Sequence, residues 1–180
     1  MKQIIIEGPD GAGKTTLLNL LIEDKTVGPY ISNNMPPYAV MKQLDVSFEE
    51  YIDTCMTEHS GPVPPRIYDR FFYSELVYGP ILRGKIDLPV SKIKAVRKEL
   101  AASAFLIYCR LPFELLLERA TQEPQMEGVL PDLHRIYSSY EAVMEDVVPM
   151  YWARKAYALY DQAPGSLENV LKLLRDYLAG

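Results

Sequence analysis

The chain has 180 residues, 48% of them hydrophobic, which is enough for one sizeable core and short for two domains. A formal net charge of −5 gives no sign of the basic surface that nucleic-acid binding ordinarily needs. No run of about 18 apolar residues offers a membrane span, and no long apolar leader opens the chain, so one soluble cytoplasmic domain over residues 1–180 is expected.

Residues 2–7 (KQIIIE) are an apolar run suited to a buried parallel strand, and 15–22 (TTLLNLLI) have helical spacing. Between them stands GPDGAGKT, residues 8–15, which satisfies GxxxxGKT in the strand–loop–helix setting that motif requires. Residues 27–32 read as a second strand and NNMPPY, 33–38, as a loop. Ser47 and Glu50 make a capping box for a helix with Phe48, Tyr51, Ile52 and Cys55 on one face, ended by GPVPP at 61–65. Residues 66–69 (RIYD) predict a third strand, and a helix from Ser74 is interrupted by Gly79 and Pro80. Residues 90–102 predict an amphipathic helix with Ile93, Val96 and Leu100 inward and its basic residues on a solvated face.

Residues 104–110 form a fully buried type of strand, after which Pro112 starts a helix that runs to Ala120 or so. TQEPQMEGVLP, 121–131, holds two prolines and a glycine and reads as a mobile loop. A long helix over 132–148, a strand at 156–160 and a helix capped by Ser166 complete the chain, the last with Leu167, Val170, Leu171, Leu174 and Leu178 inward. Strands alternating with helices imply an α/β domain with a parallel sheet covered on both faces and ligands at the carboxyl ends of the strands. Glu7, Asp10, Asp69, Arg70, Arg110 and Asp161 all fall at or just after those ends.

The loop has a specific chemistry. Gly8, Gly11 and Gly13 let the backbone approach a polyphosphate, so amides along Gly8, Asp10, Gly11, Ala12, Gly13, Lys14, Thr15 and Thr16 form an anion nest at a helix N-terminus. Lys14 adds a point charge for the β and γ phosphates, and the Thr15 hydroxyl is placed to ligate magnesium. Asp69 can hold the same metal directly or through water, and Arg70 can clamp transferring phosphoryl oxygens; an ion pair between the two is the alternative. Cys55 and Cys109 lack metal spacing, and His59 and His134 stand isolated, so none receives a chemical role.

RIYDRFFYSELVY, residues 66–78, together with the glycine loop, resembles the thymidylate kinase family of P-loop nucleoside monophosphate kinases, its short phage-encoded members most of all. Glu7, Gly8, Asp10, Gly11, Gly13, Lys14, Thr15 and Thr16 match that family's EGxDGxGKTT, and Asp69, Arg70, Ser74 and Tyr78 match its DRY and following helix, with Phe71 for the Tyr and Gly79 for a Gln. YDQAPGSLENV, from Tyr160, is similar to the segment whose backbone lines the family's adenine pocket, which places Ala163 there.

The resemblance implies a three-layer P-loop NTPase fold with about five parallel strands, with ATP as phosphate donor, Mg2+ as metal and a deoxynucleoside monophosphate as acceptor, dTMP to dTDP first. It implies that Asp10 faces the acceptor sugar, that Ser74 and Glu75 lie near the acceptor, and that Tyr78 presses against the sugar and disfavours a 2′-hydroxyl. A Tyr at helical spacing is equally a core residue. Arg119 matches the first arginine of a lid, here residues 119–131 or so, and could swing over the triphosphate, or else be an exposed helix residue. Lys14, Arg70, Asp69, Asp10 and Arg119 would then carry catalysis. Phe48, Tyr51, Phe72 and Tyr73 are a base-stacking platform or simply core. A homodimer, and host cytoplasm for a phage-encoded protein, are further implications.

The chain also departs from that family. SNNMPPY stands where an arginine would grip the acceptor phosphate, the lid is acidic, and Glu75 stands where a neutral group would suit a thymine edge. Arg66, Arg70, Arg83 or Lys85 would have to supply the acceptor charge, with Arg110 a further candidate for the cleft. A deoxynucleoside kinase, with Glu7 or Asp69 as base for a hydroxyl acceptor, is a second reading, and a P-loop nucleotide switch is a third.

Overall fold

The computed structural model describes residues 2–31, 33–35, 45–57, 65–122 and 124–180. His59, the loop over 36–38 and the helix-ending segment at 61–64 lie outside the described residues. Five parallel strands form one sheet in the order β2-β3-β1-β4-β5. They are β1 (Gln3–Glu7), β2 (Asn33–Met35), β3 (Arg66–Asp69), β4 (Ala104–Cys109) and β5 (Tyr157–Tyr160). The central strands are buried throughout, which is why IIIE and AFLIYC carry no polar alternation. Among the described residues seven α-helices surround the sheet: α1 (Lys14–Glu23), α2 (Phe48–Thr57), α3 (Phe72–Tyr78), α4 (Val90–Ser103), α5 (Phe113–Gln122), α6 (Leu133–Trp152) and α7 (Ser166–Ala179). Among the described residues no helix is long and apolar enough to cross a membrane.

Residues 27–31 do not form the second strand. Asp24 accepts from the backbone N–H groups of Thr26 and Val27, at 2.8 and 2.9 Å, and a short 3-10 turn follows at Gly28–Tyr30; Ser32 lies outside the described residues, and the strand described is Asn33–Met35. The asparagines read as loop residues therefore begin an edge strand that pairs with Arg66–Tyr68. Ser166 is the first residue of α7 rather than its cap; its hydroxyl accepts from the Asp161 N–H at 3.1 Å and closes the turn after β5. The capping box forms as expected, with Ser47 Oγ accepting from Glu50 N at 3.2 Å and Glu50 Oε2 accepting from Ser47 N at 2.9 Å.

The basic face of α4 is not simply solvated. Lys92 pairs with Glu49 and Asp53 of α2, and Arg97 pairs with Asp146 of α6, so the stripe ties three helices together. Helix α3 runs into a π-helical turn, Gly79–Arg83, where any Cβ on Gly79 would lie 2.7 Å from both Glu75 Oε1 and the Lys85 carbonyl. Helix α5 continues to Gln122, so Arg119 sits in a helical turn, and Thr121 and Gln122, expected to open a loop, are helical as well.

Strand register aligns the working ends. Ile6 lies beside Asp69 and Ile107, so the loop after β1, the Asp69–Arg70 pair after β3 and Cys109 of β4 open on one edge. The sheet order makes β1 the strand at which the chain departs in both directions, the place where open α/β sheets form a ligand crevice.

Candidate active site

Three glycines shape the loop after β1. Gly8 has φ +148, and a Cβ there would lie 2.3 Å from the Cys109 carbonyl oxygen, so only glycine lets β1 leave the sheet so close to β4. Gly13 is left-handed, at φ +81, where it turns the chain into α1 under the Gln162 side chain.

Around this loop lies a cavity of about 350 Å³, lined by Asp10, Gly11, Lys14, Thr15, Thr16, Asp69, Arg70 and Arg119, with Pro124 and Gln125 across from them. It is polar and of small-ligand size. Lys14 is buried, and its ammonium donates to the Pro9 carbonyl at 2.6 Å. Burial, followed by the nearby Arg70 charge, lowers its pKa to about 8, against the pull of Asp10 and Asp69.

Thr15 Oγ1 donates to Asp69 Oδ2 at 3.0 Å, while Asp69 Oδ1 is buried with no hydrogen-bond partner among the described residues. An orphaned carboxylate oxygen beside a hydroxyl, on the wall of this polar cavity, suits a hard divalent cation. No cluster of three or more His, Cys, Asp or Glu that could hold a metal occurs among the described residues, so these two residues and phosphate oxygens would make the shell, the habit of magnesium at nucleotide sites.

Arg70 takes a left-handed backbone, φ +68, immediately after its N–H has extended the β3–β1 ladder onto the Ile6 carbonyl at 3.0 Å. That turn brings the guanidinium back beneath the loop. Nη1 donates to the Gly8 carbonyl at 3.1 Å, Tyr78 OH at 3.1 Å and Tyr140 OH at 3.2 Å, and Nη2 pairs with Asp10. The Tyr78 hydroxyl donates to the other Asp10 oxygen at 2.7 Å, and its ring lies 5.0 Å beneath the guanidinium. Arg70 and Lys14 hold the Asp10 carboxyl below its ordinary pKa although burial acts the other way.

Glu7 is wholly buried and does something different from the base proposed for it. Oε1 accepts from the backbone N–H groups of Phe71, Tyr73 and Ser74 at 3.0 to 3.2 Å, and Oε2 accepts from Ser74 Oγ at 2.6 Å. It caps the first turn of α3, and burial still raises its pKa above the usual carboxylate range.

The remaining candidates divide. Arg119 lines the cavity with no hydrogen bond or ion pair among the described residues. Glu75 is buried and bound by Arg83 through both oxygens, so this carboxylate and this arginine neutralise each other at the edge of α3. Arg66 begins β3, at the opposite end of the strand from Asp69, and does not line the cavity. Lys85 is exposed and pairs with Asp87 at 2.8 Å; Arg110 is held by Glu141, away from the cavity wall. Phe48, Tyr51, Phe72 and Tyr73 are core residues, Tyr73 closing on the Tyr151 hydroxyl at 2.9 Å. Ala163 lies in the turn after β5, its N–H donating to Asp161 at 3.0 Å.

Two further residues shape the site: Tyr140, which no motif marks, and Gln162, which stands within YDQAPGSLENV. Tyr140 shares the apolar face of α6 with Ile136 and Met144 and has no sequence signal apart from that spacing. Gln162, with φ +62, donates to the Ala12 carbonyl at 3.1 Å and fastens the turn containing Ala163 to the phosphate loop.

No protein-family model and no curated protein sequence matches the chain. Solved structures do match it in fold. The YorR protein of Bacillus subtilis, in complex with phosphorylated GDP, superposes with a TM-score of 0.68 at 17% identity, over 99% of this chain and 98% of that one. A deoxyadenosine kinase from M. mycoides, with the products dCMP and a flexible dCDP bound, gives a TM-score of 0.60 at 16% identity, over 97% and 99%. The same enzyme with dATP bound gives 0.58 at 15% identity, over 96% and 98%. The fold, a parallel sheet flanked by helices with a P-loop after its first strand, is the one these solved structures have, over nearly the whole chain.

Proposed function

We propose that this chain transfers the γ-phosphoryl group of ATP, with magnesium, to a deoxynucleoside monophosphate, and that dTMP is the first acceptor to test. The observation that carries the reading is the state of Arg70. Four acceptors fix it beside the phosphate loop, yet Nε–H and one Nη2–H have no acceptor among the described residues, and Arg70 lines the cavity shared with Lys14 and Arg119. A planar fork held between donor loop and acceptor helix suits a phosphoryl group shared by two phosphates. In-line attack by a phosphate oxygen needs positioning and charge rather than a strong base, and Glu7, engaged in capping α3, is not available as one.

A nucleoside acceptor is the second reading, supported by the pairing of Arg83 with Glu75, which leaves the acceptor side without that cation. Its hydroxyl would be oriented by Asp10. Acceptor-stimulated ADP release, measured with Mg-ATP against a panel of deoxynucleosides and their monophosphates, separates the readings. Release stimulated by dTMP or another monophosphate supports the first, and release stimulated by nucleosides alone replaces it with the second. No stimulation by any acceptor returns the chain to a nucleotide-binding switch.

A further inference from the structure

We propose that Tyr140 is a positioning residue for Arg70, the middle link of a buried hydroxyl relay that runs from the guanidinium through Tyr140 and Ser74 to the Glu7 carboxylate. Ser74 Oγ has one hydrogen, and it is donated to Glu7 Oε2 at 2.6 Å. The Tyr140 hydrogen then goes to Ser74 Oγ at 2.8 Å, the shorter of its two contacts, with Glu7 Oε2 itself 3.4 Å away on the same side. This leaves the Tyr140 oxygen as an acceptor, and Arg70 Nη1 occupies it at 3.2 Å. Every hydrogen in the chain points from cation to anion, the arrangement in which linked hydrogen bonds reinforce one another in a dry interior.

Arg70 is wired to a second carboxylate by a parallel route, since Tyr78 accepts from Nη1 and donates to Asp10. The two routes differ in what a substrate can reach. Asp10 and Arg70 line the cavity, so an acceptor hydrogen-bonding to Asp10 competes with the pairing that holds Nη2. Tyr140 and Glu7 are both wholly buried and line none of it. When a substrate engages Asp10, the relay through Tyr140 keeps the Nη1 side anchored and leaves the opposite edge of the fork directed at phosphoryl oxygens. The Tyr140 ring is separately fixed, edge-on to Tyr78 at 6.0 Å and stacked on Tyr108 at 6.4 Å, so the ring and its hydroxyl can be tested apart.

Tyr140→Phe keeps the ring and removes the link. The proposal rests on the phosphotransferase reading for its kinetic arm alone, and there kcat falls about 10- to 100-fold with both KM values held within about threefold. Adding Ser74→Ala to Tyr140→Phe lowers kcat little beyond the single change, because both cut one chain, while stability falls further as Glu7 Oε2 loses its 2.6 Å partner. The second arm needs no turnover: in 15N spectra of the arginine side chains, with the Arg70 signals assigned through Arg70→Lys, wild type shows separate, slowly exchanging Nη resonances, and Tyr140→Phe merges them. A folded Tyr140→Phe protein with wild-type Arg70 signals, or with kcat within twofold of wild type, overturns the proposal. Constrained Arg70 signals lost in Tyr140→Phe, in a wild type that phosphorylates no acceptor, would leave the relay standing and remove the functional reading.

Discussion

Asp10 is held at both oxygens by residues of a different segment, Oδ1 by Arg70 and Oδ2 by the Tyr78 hydroxyl at 2.7 Å. The glycine loop after β1 and helix α3 are thereby joined at one carboxylate, and Tyr78 has its ring under Arg70 at the same time. If the Tyr78 ring lies beside the acceptor sugar, as the proposed function has it, Tyr78→Ala lowers the kcat/KM ratio between deoxy and ribo acceptors by about tenfold or more. Tyr78→Phe keeps the ring and is expected to retain most of that ratio while weakening overall turnover through Asp10. An unchanged ratio in Tyr78→Ala assigns the residue to packing alone.

Lys14 gives a pH dependence with a definite sign. Its pKa near 8 in the folded protein means that the unliganded protein loses this charge above that pH, so ATP-analogue affinity is expected to weaken by up to about tenfold per pH unit between about 8 and 10. The apo protein should behave oppositely in stability, because the unfolded chain keeps the lysine proton up to its ordinary 10.5 and therefore unfolding becomes less favourable across the same range. Lys14→Arg stays charged and should flatten the binding slope. A slope identical in the two proteins assigns the titration to another group.

Glycine in the phosphate loop is required by space as well as by φ. Gly8→Ala would force a Cβ to 2.3 Å from a backbone carbonyl, and a loss of about 2–4 kcal/mol is expected. Gly165 has a similarly left-handed φ, +86, but faces open space, so Gly165→Ala should cost only about 1 kcal/mol. Urea unfolding of the two variants measures the difference; equal losses would show that Cys109 yields at no cost.

What the sequence exposed and what it hid follow from the range of each signal. The glycine loop, the capping box at Ser47 and the apolar strands depend on neighbours a few residues away, and they formed where local chemistry placed them. Asn33–Met35 is a strand only because Arg66–Tyr68 offers an edge, and nothing within that segment signals it. Tyr140 looks like any apolar helix position, since its partners Glu7, Arg70 and Ser74 are at least 66 residues distant. Charge partners were equally hidden: Glu75 and Arg83 were each plausible at the acceptor, and the π-helical turn after α3 brings them to 2.5 Å of each other. Convergence at a sheet edge is legible from element order; which cations arrive unpaired is decided by tertiary contacts.

Arg119 is the clearest case of such an unpaired cation. It stands in the last turn of α5, where a positive charge is favourable to the helix, and it lines the phosphate cavity without a hydrogen bond or ion pair among the described residues. Its loss should therefore leave stability nearly unchanged, unlike that of Arg70. If the guanidinium meets charge that develops as the γ-phosphoryl group moves, Arg119→Ala lowers kcat by about 10- to 1,000-fold while the KM for ATP moves by less than about threefold. Arg119→Lys, with a point charge but no fork, should recover part of kcat. An effect confined to KM would make Arg119 a ground-state contact to the donor, and the transition-state charge would then rest on Lys14 and Arg70.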